Sequence, residues 1–155
     1  MTLSIESRLA AKGLTLPPAA TPAANYVSYV TYGNILQTSG QLPMADGKIA
    51  VTGKLGSTVS LEQGLEAARH CALNILAQTQ AALGGDFGRV KRLLKITVFV
   101  ASDPAFTDQH KVANGASDLL VEILGDAGKH SRSAVGVSAL PMDAAVEIEA
   151  VFEIA

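Results

Sequence analysis

Apolar residues recur along this chain with two different periods, and each change of period marks an element boundary. Ile5, Leu9 and Ala10 fall at helical spacing over residues 4 to 12, with Ser4 placed to cap, Ser7 its third-turn partner, and Gly13 closing the run. Residues 14 to 24 have no period and are rich in proline and alanine, which predicts an extended lead-in. Tyr26 to Tyr32 is β-branched and aromatic, Gly33-Asn34 supplies a tight turn, and Ile35 to Gln41 resumes, so this segment predicts a hairpin. Turn chemistry follows in Leu42 to Gly47, and Lys48 to Val51 is a candidate short strand.

Ser60 and Gln63 form a capping box, in which each side chain bonds the other's amide, and a long helix starts there. Its apolar stripe is Leu61, Leu65, Ala68, Ala72, Ile75, Thr79, Ala82 and Leu83, and Gly84-Gly85 ends it. Between Val90 and Val100 the period drops to two, with Leu94, Ile96, Val98 and Val100 on one face and Lys95, Thr97 and Phe99 on the other. Asp103 as cap and Pro104 as first helical residue predict a second long helix running to Gly125. Lys129 to Val137 and Val146 to Ile154 read as two strands joined by a corner at Leu140-Pro141, the last alternating strictly with Glu147, Glu149, Val151 and Glu153. The order predicts an α+β fold, a sheet with both long helices packed on one face. Two single-striped helices cover one side of a sheet only, so the bare side predicts a homo-oligomer.

Composition sharpens this picture. A chain of 155 residues with 48% hydrophobic content supports one domain, residues 1–155, with 1–24 as its N-terminal helix and lead-in. Charged residues are only 17%, too few to cover a monomer of this size, which again calls for a subunit interface. Twelve Lys and Arg stand against fourteen Asp and Glu and are dispersed, so no basic stripe invites nucleic acid. A single cysteine, Cys71, and a start (Met1 to Arg8) without the basic-then-apolar order of a leader predict a cytoplasmic protein. No apolar stretch reaches the roughly 18 residues of a membrane span.

Candidate chemistry is sparse. Arg132 sits at the mouth of a small, apolar strand, and its planar fork suits a carboxylate; Glu147 on the neighbouring strand could orient a water or move a proton, and near Arg132 it would stay ionised. The same two residues also fit a structural ion pair, or an arginine at a strand end facing solvent. His70, His110 and His130 have no i,i+4 partners, so no metal site is expected, and Cys71 reads as a small core residue. Ser39, Ser131 and Ser133 lack the elbow that exposes a nucleophile, and no glycine loop precedes a helix. Tyr26 fits either a pocket wall or a half-buried strand position, and Asn114 either a pocket-facing or a solvated helical position.

Taken in order, Tyr26, Asn34, Thr38-Ser39-Gly40-Gln41-Leu42-Pro43, Lys95 to Val100, Arg132-Ser133, Leu140-Pro141 and Glu147-Ile148-Glu149-Ala150 resemble the Rid family, the reactive intermediate deaminases or YjgF-like proteins, in a longer subgroup. The resemblance runs from about Tyr26 to the C-terminus. It implies a chorismate mutase-like fold and a homotrimer whose sheets form a central barrel with pockets between subunits. It also implies a hydrolase of the 2-iminobutanoate/2-iminopropanoate deaminase kind, converting enamines and imines such as 2-aminoacrylate to 2-oxo acids and ammonia, with no cofactor. Position by position, it implies that Arg132 binds the substrate carboxylate and Glu147 holds and activates water. Tyr26, Ser39, Gly40 and Asn114 would line the pocket. One departure stands out: Ala134 occupies the place two after the arginine where active members commonly carry cysteine. A trimer of this fold that binds small carboxylates without turning them over is therefore the alternative. The endoribonuclease label carried by some relatives finds no basic patch here.

Overall fold

The computed structural model describes residues 4–155; Met1–Leu3, on which part of the leader reading rests, lie outside the described residues. Helix α1 covers Ile5–Ala11, with the Ser4 hydroxyl accepting from the Ser7 amide as the spacing predicts. Strands β1 (Tyr29–Tyr32) and β2 (Ile35–Thr38) form the hairpin, shorter than expected because residues 26 to 28 lie outside the ladder. A second, small hairpin pairs β3 (Met44–Ala45) with β4 (Lys48–Ile49), so part of the expected turn is itself a strand. Its two linking residues, Asp46 and Gly47, have φ of +51° and +78°, the left-handed pair that a two-residue hairpin turn requires.

Helix α2 spans Leu61–Ala82 behind the Ser60 capping box, strand β5 spans Val90–Ala101, and helix α3 spans Gln109–Leu124. Strands β6 (Ser131–Val137) and β7 (Val146–Ile154) complete the main sheet, ordered β1-β2-β7-β5-β6. Only β5 and β6 run parallel; the other neighbours are antiparallel. Both long helices pack on one face of this mixed sheet, over Leu36, Leu93, Ile96, Val98, Ile148 and Phe152, all fully buried. At 25 cal/mol per Å² each of these side chains contributes about 1.5–3 kcal/mol of burial energy, so the helix-covered face supplies the main driving force for folding. Gly115 lets the helices touch: a Cβ there would overlap the Leu65 carbonyl oxygen. No helix of the described residues is long and apolar enough to cross a membrane.

Several expectations need correction. Asp103 does not cap α3. Its carboxylate accepts from the Ala105 amide in a local turn, Pro104 stays outside the helix, and Asp108 takes the N-cap position without a side-chain bond. Leu93 rather than Leu94 is buried on β5, because a register shift between Leu93 and Lys95 moves the early strand by one residue. Leu61 is exposed, while Asn74 and Gln78 on α2 are buried beneath the small hairpin and the lead-in. Asn74 Nδ2 donates to the Met44 carbonyl at 2.9 Å, and Gln78 Nε2 donates to the Ala20 carbonyl at 2.8 Å. The lead-in is thus pinned to α2 by polar groups that a search for an apolar stripe passes over.

The largest correction concerns the last two strands, which are joined by the proline corner but are not neighbours. Their connection crosses the end of β5, where the Ser102 amide donates to the Val137 carbonyl and the Ala101 amide to the Ala145 carbonyl. Strand β5 therefore lies between β6 and β7. Cys71 of α2 is fully buried against β7, its thiol donating to the Val146 carbonyl at 3.6 Å. Burial, and next the nearby Glu147 charge, hold that thiol well above its ordinary pKa.

Candidate functional site

Arg132 pairs in register with Ile96, which is buried under the helices, so the arginine projects to the helix-covered face at the sheet's open edge. There it meets α3. Its Nη1 donates to Asn114 Oδ1 at 2.8 Å and to Ser117 Oγ at 3.1 Å, and its Nη2 donates to the His110 carbonyl at 2.8 Å. The spacing 110, 114, 117 puts these partners on one row of the helix. Three of the five guanidinium N–H groups are thereby engaged, and two remain for a ligand. The structure brings Arg132 and Asn114 together through this hydrogen bond. Ser117 and the His110 carbonyl were missed, although the i, i+4, i+7 row running through Asn114 was a signal that could have found them.

A second cluster forms on the other face. After β2 the chain turns through Ser39 and Gly40 and pairs again at Gln41, which exchanges backbone bonds of 2.8 and 3.1 Å with Ile148 of β7. That pairing seats Gly40 against the neighbouring Glu147 so closely that a Cβ on Gly40 would overlap Glu147 Oε1. Ser39 Oγ donates to the Val27 carbonyl at 2.6 Å and anchors the loop that carries Tyr26, which is 51% exposed. Ser39, Gly40 and Glu147 are thus gathered with Tyr26 on the adjoining loop.

The two clusters do not meet within one copy of the chain. Glu147 stands opposite Phe99 on the bare face, whereas Arg132 is aligned with Ile96 and Ala150 on the covered one. The expectation that Arg132 would keep Glu147 ionised is therefore overturned. Burial, with Glu149 adding to it, raises the Glu147 carboxyl above its ordinary value, and among the described residues it has no ion-pair partner. A half-buried carboxyl with a raised pKa is suited to exchanging protons, and a clamped arginine with free donors is suited to holding an anion. Each cluster carries one of these two properties.

Two cavities lie apart from Glu147. One, of about 690 Å³, is bounded by the lead-in, the small hairpin and α2. The other, of about 300 Å³, lies between Ser102, Gln109 and Gly136, farther along the face of β6 that carries Arg132 and Ala134.

The family described as "YjgF/chorismate_mutase-like, putative endoribonuclease" matches residues 6–153. Protein TCP17 of Trypanosoma cruzi is 50% identical over 159 residues, covering 99% of each chain. The crystal structure of Atu1372 from Agrobacterium tumefaciens, described as of unknown function, is 52% identical with a TM-score of 0.92, covering 97% of this chain and 92% of that one. Escherichia coli TdcF, crystallised with bound serine, is 27% identical with a TM-score of 0.63, over 88% of this chain and 94% of its own.

Proposed function

The chain belongs to the YjgF/chorismate mutase-like family, and on that premise we propose that it is a cytoplasmic, homotrimeric reactive-intermediate deaminase, a single domain that hydrolyses enamines and imines of the 2-aminoacrylate type to 2-oxo acids and ammonia. The observation that carries this reading is the Arg132 clamp, which fixes the guanidinium on α3 and leaves two N–H donors for a substrate carboxylate. Glu147 supplies the second function, a carboxyl whose raised pKa suits it to take a proton from water and pass one to nitrogen.

The two halves are completed between copies. Strands β1 and β6 are opposite edges of the sheet, and exposed Val30 and Tyr32 near one edge and Val135 near the other offer apolar contact. Joining unlike surfaces head to tail closes a ring, and a ring of three agrees with the trimer that the family resemblance implies. In such a ring the Arg132 of one copy faces the Glu147, Gly40 and Tyr26 of the next.

The chemistry asks little of the protein. For an imine, R–C(=NH)–COO⁻ and water give R–CO–COO⁻ and NH₃. The water oxygen bonds to the imine carbon, protons move from water to nitrogen, and the C–N bond breaks as the carbinolamine collapses; an enamine first takes a proton at its β-carbon. A held carboxylate, a placed water and one proton carrier suffice, so no cofactor is needed. The test is release of ammonia and 2-oxo acid from enzymatically generated 2-aminoacrylate, comparing wild type with Arg132→Ala and Glu147→Gln. Acceleration by wild type and loss of it in both variants supports the deaminase; an inert wild type sinks it.

One observation favours a second reading. Ala134 lies on the same face of β6 as Arg132 and offers no polar atom to a water, which fits a protein that captures small carboxylates without turnover. Carboxylate binding by an inert wild type would establish that alternative. Ribonuclease action has weak support in a chain of net charge −2 whose basic residues are dispersed.

A further inference from the structure

Ser117 does something unusual for a helical serine. In a helix interior its hydroxyl would ordinarily donate to the carbonyl four residues back. Here Ser117 Oγ lies 2.9 Å from His130 Nε2 and 3.1 Å from Arg132 Nη1. His130 Nδ1 lies 2.5 Å from the Gly128 carbonyl oxygen. A carbonyl only accepts, so Nδ1 carries the proton and donates; in the neutral ring Nε2 then accepts, and the Ser117 hydroxyl donates to it. The serine's lone pairs are thereby turned toward the arginine, and each link from Arg132 through Ser117 and His130 to Gly128 pairs one donor with one acceptor. An imidazolium would instead aim Nε2–H at the serine, competing with Arg132 and placing a second cation beside it.

We propose that His130, acting through Ser117, is a positioning residue that orients the Arg132 guanidinium and keeps its two remaining donors available to a ligand carboxylate. The far end of this relay is rigid. A Cβ on buried Gly128 would lie 2.6 Å from the Leu120 carbonyl oxygen, so the turn that holds His130 is packed directly on α3, the helix that also carries Asn114 and Ser117. The charges beside the relay are occupied elsewhere: Lys129 pairs with Asp126 at 3.0 Å, and Arg92 donates to the Lys129 carbonyl at 3.0 Å. Without the histidine acceptor, the serine proton returns to the helix backbone and one of the three bonds that fix Arg132 is weakened.

This inference rests on the reading of Arg132 as a carboxylate anchor, and the experiment separates the two. His130→Phe removes the acceptor while keeping a ring, Ser117→Ala removes the link, and His130→Gln restores an acceptor at the end of a side chain that can reach the serine. The probe is 2-oxobutanoate, titrated into the full-length protein. The expected result is a roughly tenfold weaker Kd for His130→Phe and Ser117→Ala, with recovery to within about threefold in His130→Gln. On 2-aminoacrylate the same variants raise KM more than they lower kcat. Nitrogen NMR of the wild type is expected to show His130 as the neutral Nδ1–H tautomer, and the Arg132 Nε–H resonance to broaden in His130→Phe. If Arg132→Ala binds the probe as well as wild type, the anchor reading fails. If Arg132→Ala abolishes binding while His130→Phe changes neither affinity nor the Arg132 resonance, the positioning role fails alone. An Nε2–H tautomer overturns it whatever the binding data show.

Discussion

Gly40 and Glu147 are packed so closely that the carboxylate occupies the space a β-carbon on residue 40 would need. The contact is made to the far end of a flexible side chain, so alanine at this position costs the fold little and instead pushes the carboxylate away. Gly40→Ala is expected to change stability by less than about 1 kcal/mol while lowering kcat on 2-aminoacrylate about a hundredfold, which is the scale of losing a positioned acid or base. Thermal unfolding and steady-state kinetics on one preparation check both halves. A fall in Tm matching the loss of activity would contradict it.

The raised pKa of Glu147 has a consequence for stability as well as for rate. A carboxyl whose folded pKa lies above its unfolded value binds protons more tightly when folded, so its contribution is fully present in acid. That contribution is lost as pH climbs from the ordinary carboxylate value of 4.5 through the raised one. Glu147→Gln is therefore expected to melt higher than wild type at pH 7 and at the same temperature near pH 3, while losing turnover throughout. A melting difference that is constant across that range would show that burial does not disfavour the charged form. For the wild type, the acid limb of kcat/KM should lie above the usual carboxylate range.

Because Arg132 and Glu147 face opposite sides of their sheet, neither Arg132→Ala nor Glu147→Gln is expected to be active alone, yet mixtures should be. In a head-to-tail ring of three, any mixed trimer has one junction at which an intact arginine meets an intact glutamate. Equal mixing by denaturation and refolding should restore about a quarter of wild-type activity. Equilibrium sedimentation should give three copies for each protein. No recovery from well-mixed trimers would place the site within a single copy.

Gln78 Nε2 holds the half-buried Ala20 carbonyl at 2.8 Å and donates to Gln41 Oε1 at 3.4 Å, both glutamines being buried. Removing the amide takes one of two donors from the Ala20 carbonyl, which keeps the Ser28 hydroxyl, and leaves the buried Gln41 Oε1 without its donor, which costs about 1–3 kcal/mol. Gln78→Ala is expected to lower stability by that amount, and limited proteolysis should cut first between residues 14 and 24. Unchanged cleavage would mean that the lead-in is held by other contacts.

Much of this architecture was legible in the chain because periodicity and end signals agreed. The Ser60 box, the Gly33-Asn34 turn and the unbroken alternation from Val146 to Ile154 each specify an element through local chemistry, and each is present. What failed depended on contacts distant in sequence. Proximity along the chain suggested that the strand of Arg132 lies beside that of Glu147; the intervening placement of β5 is set by how the two helices cover the sheet, which no local pattern records. Asp103 and Pro104 had the chemistry of a helix start, and a local turn used that chemistry instead. Arg132 could be read as a candidate anchor from residue type and strand position. Its bond to Ser117, and the contact of Ser117 with His130, could not, because those residues come together only when α3 is laid along β6.

Cys71 gives this fold an internal clock. It is the one thiol in the chain, fully buried at the seam between α2 and the last strand, and it is kept protonated there by burial. A thiol reagent in solvent meets it only during those moments when helix and sheet part, so the rate of labelling counts the openings of that seam rather than the reactivity of the sulfur. Because the strand against which Cys71 rests begins with Val146 and Glu147, the same clock times how long the Glu147 carboxyl keeps its place.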